Sequence, residues 1–192
     1  MSLKGVFILV FSLISIGYSL GQEPQVLGGY KFIESKNQWP DQVHYRSDIQ
    51  GGYLYLENDG FLFNLYDGKE FARYVQAHYD KSLPRNFDKL SWHSYKVTFS
   101  NCNTEALANG SLETPEYYNF FLGNDKTKWA SHAKGFHRIE YKELYPGVDL
   151  NMYSKVFNLK YDFVVKANAD AKQIELNYAG ADNIAIKNER LQ

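Results

Sequence analysis

Residues 51–68, GGYLYLENDGFLFNLYDG, constrain the fold more than any other stretch of this chain. Two aromatic-rich runs, 53–57 and 61–66, flank Asn58-Asp59-Gly60. Asn, Asp and Gly tolerate positive φ, which tight hairpin turns use. The segment therefore reads as a β-hairpin with Gly60 at positive φ. Alternation places Tyr53 and Tyr55 on one face of the first strand. It places Phe61 and Phe63 on one face of the second. Both pairs are expected in the core.

Similar short runs recur along the chain. Residues 29–34 and 42–47 read as strands separated by a Trp-Pro turn at 37–41. His93, Tyr95, Val97 and Phe99 alternate with polar residues, as do Val148, Leu150 and Met152. So do Leu159, Tyr161 and Phe163, and Ile174, Leu176 and Tyr178; Ile184 and Ile186 follow on a last short run. Period-2 alternation bounded by turn residues predicts strands. Further strands are expected at 117–122 and 136–141, with a turn at Tyr145-Pro146-Gly147 and another at Asn109-Gly110. Residues 82–91 read as a polar loop. One segment departs from the pattern. Phe71, Tyr74, Val75, His78 and Tyr79 are spaced as one face of a helix over 69–80. The fold expected is mainly β, an antiparallel sandwich or barrel-like domain with at most one short helix. Sixteen Tyr and 13 Phe in 192 residues suit such a fold, because aromatic side chains favour strands.

Residues 1–21 read as an address rather than structure. Lys4 precedes an apolar run of about 16 residues, and Ser19-Leu20-Gly21 gives a small-x-small ending before Gln22. The run is shorter than the ~20 residues a membrane span needs, and Ser12, Ser15 and Gly17 dilute it. Cleavage between Gly21 and Gln22 is expected, with export to the extracellular space or cell surface. No later apolar stretch is long enough to span. Residues 22–192 then form one β-rich N-terminal domain. The chain stops just after a strand and reads as a fragment of a longer modular protein. A single cysteine, Cys102, rules out an internal disulfide. A net charge of -1 gives no electrostatic reason to expect nucleic acid as a partner.

Three blocks carry a family resemblance. They are FIESKNQWPDQVHYRSDIQGGYLYLENDGFLFNLYD (32–67), YYNFFLGNDKTKWASHAKGFHRIEYKELYPGVDLNMYS (117–154) and LKYDFVVKANADAKQIELNYAGADNIAI (159–186). In this order they resemble a domain near the N-terminus of large exported proteins of Bacteroidota. Ser35-Lys36-Asn37-Gln38 and Ala167-Asn168 depart from the usual pattern, both in turns. Such proteins typically continue into SBBP-type β-propeller repeats or PKD-like immunoglobulin folds and often end in a gliding-motility-associated or other C-terminal sorting domain. The resemblance implies a modular surface or secreted protein that uses the type IX secretion machinery. It brings no catalytic residue with it.

The residues themselves point the same way. His132 and His137 lie five apart with no third ligand at a recognisable spacing, so no metal is expected. No cofactor motif is present. His93 lies between Ser91 and Ser94, but neighbours on a strand point to opposite faces, so no local triad is expected. Asp149 and Asp162 are the best carboxylate pair, because both fall on the polar side of successive strands. They are expected to bond turn amides or to pair with Lys155 and Lys160 rather than to work as acid and base. The candidate binding-surface aromatics are Trp39, Trp92 and Trp129, each near a turn. Tyr and Trp stack on sugar rings and anchor protein interfaces. The function expected is a non-catalytic module serving adhesion, gliding motility or surface assembly. The alternatives are a carbohydrate-binding module and, third, an exported hydrolase.

Overall fold

The computed structural model describes residues 29–82, 90–188 and 190–191. The leader expected at residues 1–21, the cleavage expected between Gly21 and Gln22, and most of the loop expected at 82–91 fall outside the described residues. Ten strands form one antiparallel sheet. In chain order they begin with β1 (Phe32–Glu34), β2 (Tyr45–Ile49), β3 (Gly52–Leu56) and β4 (Gly60–Tyr66). Helix α1 (Gly68–Tyr79) follows, then β5 (Trp92–Phe99), β6 (Ala108–Phe120) and β7 (Ala130–Tyr145). The sheet ends with β8 (Val148–Lys155), β9 (Asn158–Val165) and β10 (Leu176–Ala179). A separate two-stranded ribbon joins β11 (Ile186–Lys187) to β12 (Arg190–Leu191).

The spatial order is β10-β5-β4-β3-β2-β1-β7-β8-β9, with β6 also paired to β7. Phe136 of β7 has Phe32 on one side and Glu113 on the other, whereas Arg138 has Ser111 and Tyr153. A strand has only two edges. Therefore β6 occupies one edge of β7, and β1 and β8 divide the other end to end. Strands from opposite ends of the order then meet. The Phe61 ring on β4 lies 5.6 Å from Tyr161 on β9, and Phe99 on β5 lies 6.3 Å from Phe163. The sheet thus curls into a half-barrel with its core inside. The barrel-like alternative holds, rather than two facing sheets.

The core takes alternate residues of nearly every strand. Phe32, Leu54, Leu56, Phe61, Val97, Phe99, Ile139, Tyr141, Leu150 and Met152 are all buried. Tyr141 is fully enclosed, and its hydroxyl donates to the Glu57 carbonyl at 2.8 Å. That bond meets the demand that a buried polar atom find a partner. Burial pushes its pKa well up.

Three local expectations are corrected. Gly60 does not adopt positive φ, and neither do Asn58 and Asp59. The turn closes through the Glu57 N–H donating to the Gly60 carbonyl at 2.9 Å. Glycine is needed at 60 because β5 passes so close that a Cβ would sit 2.2 Å from the Val97 oxygen. Asn109-Gly110 is no turn. It lies inside β6 opposite Glu140 and Ile139, with Gly110 against the Phe136 ring. Tyr53 and Tyr55 are not core partners of Phe61 and Phe63. Tyr53 pairs with Asn64 and Leu54 with Phe63, so the tyrosines face outward. Helix α1 forms where its periodicity predicts, capped by Asp67, which accepts from the N–H groups of Lys69 and Glu70. Its apolar face is nonetheless exposed: Phe71, Tyr74 and Val75 are open to solvent and Tyr79 is 82% exposed. Only Ala77 is buried.

Candidate functional site

The outer face of β2–β5 carries what the inner face cannot, because alternate residues must leave the core. Arg46 stands on β2, Tyr53 and Tyr55 on β3, Asn64 and Tyr66 on β4, and Trp92 and Ser94 on β5. Register brings them together. Tyr66 pairs with Trp92, Asn64 with both Tyr53 and Ser94, and Arg46 with Tyr55. A continuous aromatic stack results. Phe71 of α1 lies 4.3 Å from Tyr66, Tyr66 is edge-on to Trp92 at 5.6 Å, and Trp92 stacks on Tyr53 at 5.9 Å and 15°.

The Arg46 guanidinium extends the stack, 4.7 Å from the Tyr53 ring and 4.9 Å from Trp39. Such cation–π contacts are worth about 0.5–2 kcal/mol. Trp39 meets Phe120 edge-on at 5.4 Å and closes the far end. Asp48 holds the guanidinium from the open side at 2.9 Å. Asn64 Oδ1 accepts from the Ser94 hydroxyl at 3.0 Å, setting polar groups beside the exposed rings.

The three predicted tryptophans fare differently. Trp92 is 45% exposed and lies on the stack. Trp39 is a correction: it is buried with Ile33, Val43 and Ala133 in a small second core, where residues 35–44 fold over the outer face. Its backbone segment borders a shallow depression lined by Gln38, Pro40, Asp41, Gln42 and Lys128. Trp129 lies apart, between β6 and β7. Its indole N–H donates to the Gly123 carbonyl at 3.2 Å, and Phe121 packs edge-on against it. Arg46, which joins Trp39 to the Tyr53–Trp92 stack, is not among the residues the sequence singles out; the tight turn at Gln50-Gly51 is what sets it opposite Tyr55.

Asp149 and Asp162 do share a face, since Asp149 pairs with Val164 and Asn151 with Asp162. Both are occupied otherwise. β7 bulges between Tyr141 and Tyr145, leaving the Glu143 N–H without a ladder partner, and Asp149 accepts from it at 2.9 Å. Lys142 and Lys166 flank the same carboxylate at 3.4 and 3.2 Å, and Lys166 also holds Glu143. The turn amide was expected; Lys155 and Lys160 are replaced by Lys142 and Lys166. Asp162 accepts from the Tyr153 hydroxyl at 2.6 Å. Burial pushes the Asp149 pKa up, but the Glu143 N–H and the two ammonium groups outweigh it and leave it lowered. Lys166 and the Gly147 N–H lower Glu143 likewise.

The sign of the pH effect follows. Both folded values lie below the ordinary 3.8 and 4.5, so the unfolded chain takes up protons first as pH falls. Stability is full above pH ~5 and declines as pH drops through the folded values. Urea unfolding at pH 7, 4 and 3 should show this decline, and Asp149→Asn should flatten it. An unchanged acid limb in that variant contradicts the structural role.

No group of three or more His, Cys, Asp or Glu among the described residues is placed to hold a metal. Burial raises the Cys102 thiol pKa, opposite to what a reactive thiolate needs. No helix among the described residues is long and apolar enough to cross a membrane.

Fold and surface together define a curled antiparallel half-barrel with an outward aromatic–arginine stack. Residues 32–192 match the family described as "Domain of unknown function (DUF7948)", and the chain belongs to that family. None of the curated proteins and none of the solved structures matches it.

Proposed function

We propose that this domain is a non-catalytic recognition module of an exported surface protein, serving adhesion, gliding motility or surface assembly. The observation that carries the reading is the outer stack Tyr66–Trp92–Tyr53–Arg46, with Trp92 open to solvent. Exposed aromatics held rigid by their neighbours contribute binding area at small entropic cost. The leader at residues 1–21 and the resemblance to Bacteroidota surface proteins support export and the type IX route. The commitment of Asp149 to a bulge and two lysines supports the non-catalytic half.

A carbohydrate ligand is the second reading. It is favoured by the Asn64–Ser94 pair beside the Trp92 ring, since sugars offer both an apolar face and hydroxyls.

Binding of the labelled chain to bacterial cell surfaces and to an immobilised glycan panel tests both. Trp92→Ala should weaken capture about tenfold or more, matching the ~1.4 kcal/mol or more of an interface anchor. Glycan capture with the same dependence selects the sugar. Capture indifferent to Trp92 sinks the surface assignment. A glycan or peptide hydrolysis abolished by Asp149→Asn or Asp162→Asn, with folding intact, overturns the non-catalytic reading.

A further inference from the structure

The ten-stranded sheet presents three edges, and they are not alike. β6 is a 13-residue edge, but its ladder is broken twice, Pro115 removes a donor, and Leu112 sits at φ +56°. Bulges and proline are the usual means of keeping an edge strand from pairing with another chain. β10 has only four residues. β9 has eight, in unbroken register with β8, and contains no proline.

Nor can the half-barrel close antiparallel on itself. Every neighbour in the order β10-β5-β4-β3-β2-β1-β7-β8-β9 is antiparallel. Nine alternating strands leave β9 and β10 pointing the same way. Among the described residues no strand pairs with the outer edge of β9. Its outward backbone groups are left to a strand from another chain or to water.

The side chains of β9 indicate which partner. The strand reads Asn158-Leu159-Lys160-Tyr161-Asp162-Phe163-Val164-Val165. Laid antiparallel on a copy of itself about Tyr161, it is self-complementary. Lys160 then faces Asp162 of the second copy, and Asp162 faces its Lys160. Leu159 faces Phe163 on the core side, again twice by symmetry. A shift of two residues one way sets Lys160 against Lys160, and the other way sets Asp162 against Asp162. One-residue slips put outward side chains against inward ones. Opposite charges directly across a strand pair stabilise it and like charges oppose it, by about 0.2–1 kcal/mol each. Charge therefore selects this register over both of its neighbours. Val164 and Val165, 45% and 40% exposed, extend the apolar contact toward the C-terminal end.

We propose that β9 pairs antiparallel with β9 of a second copy of this chain, centred on Tyr161, so that two half-barrels share one sheet across a two-fold axis. The contact is isologous and closes at two subunits, so it does not propagate into a fibre.

Sedimentation equilibrium on the full chain tests this. A concentration-dependent dimer is expected. Lys160→Glu puts an acid against Asp162 on both sides and should weaken association about tenfold. Asp162→Lys should do the same, and the double exchange Lys160→Glu, Asp162→Lys should restore it to within about threefold. Lys160→Glu alone leaves the Tyr153–Asp162 bond intact, so one arm remains readable if Asp162→Lys perturbs folding. A chain that stays monomeric to about 300 µM, far above the micromolar range of specific dimers, overturns the proposal. So does a dimer indifferent to the single exchanges, or one that the double exchange does not rescue. Capture of a strand from another protein at this edge by a monomeric chain also overturns it.

Discussion

Phe61→Ala is expected to destabilise the domain by about 3–5 kcal/mol, the largest effect of any single truncation on the central hairpin. Phe61 is 1% exposed, and its ring lies 5.6–5.7 Å from Phe63, Phe99 and Tyr161. Those neighbours come from β4 itself, β5 and β9. The ring therefore ties the middle of the sheet to its far edge, where no backbone ladder joins them. Truncation removes the apolar surface and leaves a cavity between strands that cannot collapse without uncurling the sheet. With a urea slope near 2 kcal/mol/M, the midpoint should fall by roughly 2 M. Phe63→Ala should cost less, because Phe63 is only partly buried beside Tyr95. A Phe61→Ala variant within about 1 kcal/mol of the parent contradicts the core assignment and the curl that depends on it.

Strand positions were largely legible because each is a local, period-2 pattern. β4, β5, β8 and β9 fall close to where alternation put them. Loss of legibility begins where one strand depends on another. β6 covers Asn109-Gly110, a dipeptide with good turn chemistry. It is extended there because Gly110 lies against Phe136, a partner 26 residues away, and no local signal reports that. The face of α1 shows the converse. Its spacing specifies a helix, yet burial needs a surface to pack against, and among the described residues only Ala77 is buried, with Phe71 resting on Tyr66 but half open to solvent.

The outer aromatic face was half legible. Tyr53 and Tyr55 were seen as one face, but their side of the sheet depends on whether Leu54 or Tyr53 faces Phe63. The Glu57–Gly60 turn decides that in favour of Leu54. The same reasoning through Gln50-Gly51 places Arg46 opposite Tyr55. Trp39 illustrates a limit of composition: a Trp beside a turn reads as exposed. Here the chain at 35–44 folds back over the outer face, and the indole becomes the centre of a second small core.

Gly60→Val is expected to cost about 3 kcal/mol, the upper part of the range for overpacking. The reason differs from the one its place after Asn58-Asp59 suggests. A side chain at 60 meets the Val97 oxygen at 2.2 Å and the Thr98 Cα at 3.1 Å. Backbone cannot rotate away as a side-chain tip can, so β4 and β5 must separate at their pairing of Gly60 with Thr98. The Phe99 N–H, which donates to the Asp59 carbonyl at 2.8 Å, would be strained with them. Asparagine distinguishes crowding from conformation, because it tolerates the left-handed region better than other residues but still carries a Cβ. At Gly51, φ is +85° with nothing within 4 Å of a built Cβ. There Gly51→Asn should cost less than Gly51→Ala, with both near 1 kcal/mol. At position 60, Asn should cost at least as much as Ala, because the obstacle is the Cβ itself. Chemical denaturation of the four variants decides the matter. If Gly60→Asn is milder than Gly60→Ala, as at position 51, the strain at 60 is conformational and the close approach of β5 does not govern it.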